Sequence, residues 1–210
     1  QEFDIATQYM KSLLQQHYDI RALNKSTEGN SDAALALNAL IEGDIQTAGQ
    51  DYAFTQFTPQ QLRETDPSKF ETPVLDKAPF QVTNKYLFFP QFEGRSFVSE
   101  ILNAHEGDWA SLDDVYRSPP ASTEQVLNLE RYTAGDAPKG VPSLPDLAKA
   151  LGTGWTEAYS DVLGEYHVGL DLMGLPFVFE KDEPAGWGGD RFIVLEGPVE
   201  EKALVVVIVW

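Results

Sequence analysis

His105-Glu106 is the only adjacent His-Glu pair in the chain. A zinc-peptidase helix needs a second His four positions after the first, one turn on, so that both imidazoles share a face. Trp109 stands there instead, and Gly107-Asp108 marks a solvated helix end. Asp108, Asp113 and Asp114 lack the ligand order of an EF-hand loop, and Asp113-Asp114 reads as an exposed helix face. Gly186-Trp187-Gly188-Gly189-Asp190 is glycine-rich but has no Lys-Ser/Thr and precedes an expected strand, so it offers no helix N-terminus to a phosphate. The nearest approach to a serine nucleophile elbow, Gly94-Arg95-Ser96-Phe97-Val98, lacks the final glycine. Paired carboxylates stay open only because the chain holds 33 Asp and Glu. The chain has no cysteine, which removes disulfides, thiolate metal sites and cysteine nucleophiles together. These residues alone form no recognisable catalytic set.

The elements that would position a site are mostly helical. Ile5, Tyr9, Leu13, Leu14, Tyr18 and Leu23 recur at helical spacing and predict an amphipathic helix over 4–23. Ser31 or Asp32 offers an N-cap for a second helix over about 31–57, with Leu37, Ile41, Ile45, Ala48 and Tyr52 on one stripe. Gly43 and Gly49 inside it cost helix propensity, so they are expected to let another element approach closely. Pro59, Pro67, Pro73 and Pro79 punctuate a connector in which Thr58-Pro59-Gln60-Gln61 opens a short helix. An entry turn at Phe88 leads into a helix ending near Gly107. A short helix over 108–117 follows, with Trp109, Leu112, Val115 and Tyr116 inward. Ser122 and Gln125 are spaced as a capping box. A looser stretch over 131–155 carries Pro138, Pro142 and Pro145 before a last helix over 156–174. Strands near 191–196 and 203–210 predict a hairpin, with Trp187 and Trp210 as aromatic plugs beneath it. The fold class is α+β, one domain over 1–210, helical over 1–175 with a C-terminal antiparallel β element over 176–210.

The composition, 42% hydrophobic and 11% aromatic, excludes a disordered chain. A formal net charge of −18 repels phosphate backbones and anionic lipid, which excludes nucleic acid as a partner. The longest apolar run, Ala203 to Trp210, is far short of the about 18 residues of a spanning helix. The chain opens on Gln1 with no charged-then-apolar leader and stops on a strand residue. The expectation is a trimmed product whose natural chain runs further.

Several blocks nevertheless follow one another in a familiar order. They begin with Tyr9-Met10-Lys11-Ser12-Leu13-Leu14-Gln15-Gln16-His17-Tyr18-Asp19-Ile20 and Ala36-Leu37-Asn38-Ala39-Leu40-Ile41-Glu42-Gly43-Asp44. Phe92-Glu93-Gly94-Arg95-Ser96-Phe97-Val98 follows, then Tyr116-Arg117-Ser118-Pro119-Pro120-Ala121-Ser122-Thr123-Glu124-Gln125-Val126-Leu127. Leu163-Gly164-Glu165-Tyr166 and Gly186-Trp187-Gly188-Gly189-Asp190-Arg191-Phe192 complete the series across nearly the whole chain. Together they resemble a zincin-like metallopeptidase family of secreted and surface proteins from bacteria and halophilic archaea. The Pro-Pro-x-Ser-Thr-Glu-Gln block is the most distinctive.

The resemblance implies a first helix of the form His-Glu-x-x-His, with the later Glu of Glu-Gly-Asp as third zinc ligand and the helix Glu as general base. Laying His17-Tyr18-Asp19-Ile20 on the family's His-Phe-Asp-Leu puts Thr7 and Lys11 at the two His positions and Gln8 at the Glu. Only Glu42 matches. Thr7 is a poor zinc ligand, Lys11 brings a cation into a cation site, and Gln8 cannot take a proton from water. Either Lys11 takes the place of the metal and pairs with Glu42, or it reaches solvent and Glu42 joins another network. The resemblance also makes His17, Asp19, Asp44 and Glu165 candidates for supporting the old metal residues. For His17 and Asp19 a capping or pairing role is the simpler reading, and for Glu165 so is the ordering of buried backbone or of an Arg.

The expected function is therefore that of an inactive metallopeptidase-like domain without cofactor or metal. It would serve a structural or binding role, as an accessory subunit of a larger extracytoplasmic or surface assembly after loss of a targeting segment. The alternative is a metal-dependent hydrolase with ligands drawn from His17, Glu42, Asp44 and Glu165. A third reading is a binder of cations or of a basic peptide in the remnant cleft.

Overall fold

Residues 31–56 carry Leu35, Ala36, Leu37, Ala39, Leu40, Ile41 and Ile45, all buried, and no proline, so this stretch can be enclosed as one long helix. The computed structural model describes residues 2–64, 80–141, 146–172 and 186–210. In it that helix, α3 (Ser31–Gln56), is the spine, with α1 (Glu2–His17) and α2 (Ile20–Ser26) before it and α4 (Pro59–Glu64) after. Its densest partner is α5 (Phe80–Ala104), whose Phe89, Phe97, Val98, Ile101 and Leu102 complete the core with Leu112, Val115, Tyr116 and Val126. Each such side chain contributes about 1.5–3 kcal/mol on burial. The shorter helices are α6 (Ser111–Arg117), α7 (Thr123–Leu127), α8 (Leu129–Thr133) and α9 (Leu147–Leu151). β1 (Thr156–Asp161), α10 (Gly164–Leu172), β2 (Gly189–Glu196) and β3 (Lys202–Val209) close the chain as an antiparallel sheet of order β1-β2-β3 beside one helix. The class is α+β, as expected, and β2 and β3 form the expected hairpin, in register from Gly189 opposite Val209 to Glu196 opposite Lys202.

Several local expectations are corrected. The first helix breaks in two, because the Asp19 side chain accepts a hydrogen bond from Ala22 N (2.9 Å) and so starts a new helix. Ile5, Tyr9 and Leu13 point outward and, of the apolar residues on the expected stripe, only Leu14 is buried, since α1 lies on α3 along its other side. Asn30 caps α3, accepting from Ala33 N, which leaves Asp32 free for a different role. The entry turn at Phe88 does not exist: α5 runs through Pro90, where the burial of Phe89 and Pro90 offsets a cost of about 3 kcal/mol for an interior proline. Trp109 lies before α6 and is half-exposed, and Trp210 is exposed, whereas Trp187 is fully buried. Residues 156–161, read as helix, pair with β2 instead, so the sheet begins inside the region assigned to helices. Pro67, Pro73, Pro79, Pro142, Pro145 and positions 173–174 lie outside the described residues.

The crossing of α3 and α5 depends on two glycines. A Cβ at Gly43 would meet Gly94 O at 2.2 Å, and one at Gly94 would meet Ala39 O at 2.0 Å. Both obstacles are backbone, which has no rotamer to move away. Gly43→Ala and Gly94→Ala should each cost about 1–3 kcal/mol in urea unfolding, the overpacking range. A wild-type midpoint for either variant would show that the helices can part without loss.

Candidate functional site

Lys11 leaves the face of α1 that lies on α3, and Glu42 leaves α3 one residue before the glycine crossing. Their side chains meet: Lys11 Nζ donates to Glu42 Oε1 at 3.2 Å, with 43% and 25% of the two side chains exposed. Of the two arrangements open in the sequence, the ion pair is the one found. Asp44, one residue past the crossing, accepts a hydrogen bond from Tyr116 OH at 3.0 Å. Burial pushes the Asp44 carboxyl up to about 6 against the opposing pull of that bond. Tyr18 stacks flat on Tyr116, centroids 3.8 Å apart, and donates to Asp113 Oδ1 at 2.6 Å. Burial, with Asp113 beside it, raises the Tyr18 hydroxyl, while the Tyr18 and His17 bonds hold the Asp113 carboxyl down. His17 Nε2 lies 3.3 Å from the same Asp113 oxygen. His17 therefore pairs with Asp113, and Asp19 caps the start of α2.

A second cluster was not legible as a site. Asp32, fully buried, accepts from Thr123 Oγ1 at 2.6 Å and from Thr123 N at 3.2 Å, tying α3 to α7. Thr123 Oγ1 in turn accepts from Tyr166 N at 3.1 Å in α10. Asp190 of β2 accepts from Leu163 N and Gly164 N, both at 2.8 Å, and from Trp187 Nε1 at 3.0 Å. Asp161 accepts from Ser31 N, Ser31 Oγ, Tyr159 OH and Val162 N. Gly164 has φ +78°, and a Cβ there would lie 1.7 Å from Asp32 Oδ1, so this approach also requires glycine. Glu124, with its side chain 4% exposed, lies 3.9 Å from Arg131 Nε, and Arg131 also binds Asp136. Glu165 is buried, and its Oε2 is the one buried side-chain polar atom among the described residues without a hydrogen-bond partner. The signal was present but spread out. Thr123-Glu124, Gly164-Glu165 and Trp187 to Asp190 lie in separate blocks that only the fold brings together.

Three of the four residues of the relocated-ligand alternative have separate partners, His17 with Asp113, Glu42 with Lys11 and Asp44 with Tyr116, while Glu165 is buried within the electrostatic reach of Glu124 and Arg131. Among the described residues no group of three or more His, Cys, Asp and Glu is placed to hold a metal ion. A zinc site with three protein ligands therefore does not fit the side chains around Glu42. Thr7 and Gln8 stand on α1 one turn and nearly one turn before Lys11 and add no carboxylate or imidazole. His105 and Glu106 lie exposed at the end of α5, where Gly107 N donates to Leu102 O and closes the helix. No protein-family model matches the chain, and neither does any curated protein sequence or solved structure.

Burial raises the carboxyls of Asp32 and Glu165 to about 7, Glu165 additionally through Glu124, with Thr123 and Arg131 respectively opposing. Glu124 and Asp190 are also raised by burial. For Asp161 burial acts in the same direction, but its four donors outweigh it and hold the carboxyl low. An acid raised in the folded state binds its proton more tightly there than in the unfolded chain. Its contribution is full below the unfolded value near 4 and is lost as pH rises through about 7. The urea midpoint should therefore fall between about pH 4 and pH 7, and Glu165→Gln should flatten the fall. A midpoint that is constant or rises over that window contradicts the assignment.

Proposed function

We propose that this chain is a catalytically inactive, zincin-like scaffold in which an ammonium group replaces the metal, and that it serves a structural or binding role. The carrying observation is the Lys11 to Glu42 pair at 3.2 Å. Lys11 stands at a position that the resemblance gives to a zinc-binding His, and Glu42 at the position of the ligand carboxylate. One positive charge thus satisfies the carboxylate that a divalent ion would otherwise satisfy, and no nitrogen ligand competes for zinc. Gln8, at the position of the general base, carries an amide that accepts no proton from water near neutral pH. A chain with this packed scaffold and without that chemistry is read as one used for its shape.

The setting that accords with this reading is a larger extracytoplasmic or surface assembly, in which the chain is an accessory subunit. A net charge of −18 keeps such a surface solvated and discourages nucleic acid. No helix among the described residues is long and apolar enough to cross a membrane.

Restoring the ligands tests the reading directly. The triple substitution Thr7→His, Gln8→Glu, Lys11→His should give a protein that takes up one equivalent of zinc and is stabilised by it against heat. Adding Glu42→Ala should abolish the uptake. A folded triple variant that binds zinc no better than the wild type would mean that α1 and Glu42 do not frame a former metal position.

A further inference from the structure

The outward side of α1 is unusually apolar for a helix on so acidic a molecule. Ile5, Tyr9 and Leu13 repeat every four residues and are 70%, 64% and 46% exposed. At 1.5 Å per residue this stripe runs about 12 Å along the helix. It leads into a groove of about 490 Å³ between α1 and α3, lined by Met10, Leu13 and Leu14 of α1, by Ile45 and Ala48 of α3, and by Trp109. That volume lies within the range of ligand clefts. One wall carries Asp44, whose described partner is the neutral Tyr116 hydroxyl, so its carboxylate has no cationic partner among the described residues. Asp108 adjoins Trp109, and Asp113 lies beyond the Tyr18 and His17 end of the groove.

The geometry points to this groove as the docking site for a cationic amphipathic helix of a partner protein. Its apolar residues would cover Leu13 and Trp109, and a Lys or Arg would reach Asp44. The inference rests on the reading that the scaffold binds and does not cut. The apolar stripe calls for residues at helical spacing on the partner, the mode in which an amphipathic helix lies in a groove. Charge complementarity fixes the sign. A chain of −18 disfavours a second copy of itself and an anionic lipid surface, while attracting a basic segment and steering its approach. Lys11 and His17 do not oppose such a segment, because Glu42 and Asp113 already hold them.

The probe is a synthetic helix of about 15 residues, Leu at one face and Lys elsewhere, titrated into the full chain by calorimetry at physiological salt. A scrambled peptide of the same composition serves as control. The expected result is saturable one-to-one binding of the patterned peptide, at least tenfold tighter than the scrambled one. Leu13→Glu and Trp109→Ser, both at exposed positions that leave the core intact, should each weaken it about tenfold, and Asp44→Asn should weaken it several-fold. Equal affinity for the two peptides, or unchanged binding by both surface variants, would reduce the effect to general charge attraction and overturn the proposal. Self-association abolished by Leu13→Glu would also overturn it, by making a second copy the occupant. Cleavage of the patterned peptide at the groove would support the docking site while refuting the inactive scaffold. Absence of binding would remove the docking site and leave the zinc-restoration result standing.

Discussion

Two helices can touch backbone to backbone only where neither carries a side chain, and the placement of this molecule's central helices depends on that contact. With Gly43 and Gly94 facing each other's helix, α3 and α5 approach until a single methyl group at either position would strike a carbonyl. The closeness orients α3 about its own axis as well as setting a distance. Glu42 and Asp44 flank the contact on the chain, so the same constraint aims one carboxylate at Lys11 and the other at Tyr116. A looser crossing would free α3 to rotate, and both pairings would change together.

The far end of α3 is held differently, by buried acids that each accept several donors. Asp32, Asp161 and Asp190 tie the start of α3, α7, the start of α10 and the sheet into one joint. Hydrogen bonds to charged acceptors are the stronger ones, and a buried acceptor deprived of its donors is costly, so each tie is specific as well as stabilising. The accumulation has a cost. Burial, and to a lesser degree the charges of neighbouring carboxylates, raises Asp32, Glu124 and Glu165 against the opposing pull of Thr123 on Asp32, of Arg131 and Lys139 on Glu124 and of Arg131 on Glu165, so protons are retained at Asp32 and Glu165 up to about pH 7. The joint thus gives up part of its stability as pH rises through about 7, in exchange for a defined meeting of four elements.

Periodicity made the long elements legible. The buried stripe of Leu37, Ile41 and Ile45, the role of Gly43 and the β2–β3 hairpin all appear as local patterns, and local patterns determine them. What was illegible depended on partners distant in sequence. Thr156 to Asp161 is polar enough for an exposed helix, and only pairing with β2 makes it a strand. Ile5, Tyr9 and Leu13 have the spacing of a core stripe, yet α1 turns Leu14 inward instead, a choice made by the shape of α3. The pairing of Lys11 with Glu42 could be posed from the sequence through the aligned blocks, but a separation of 31 residues could be closed only by the packing of α1 on α3. The buried acids were hidden for the same reason, each lying in a separate block with no neighbour of its own kind.

Acidity invites a metal-binding account, and the fold distributes it otherwise. Among the described residues, the buried Asp32, Asp161 and Asp190 are used by backbone amides, hydroxyls and an indole, Glu124 lies near Arg131, and Glu42 at the position of interest faces an ammonium. The metal content of the purified wild-type chain after exhaustive dialysis tests this account most directly. Zinc well below one equivalent, unaffected by Glu42→Ala, is the predicted result. One equivalent of retained zinc that disappears in Glu42→Ala would contradict it, because Glu42 would then be holding an ion and not Lys11.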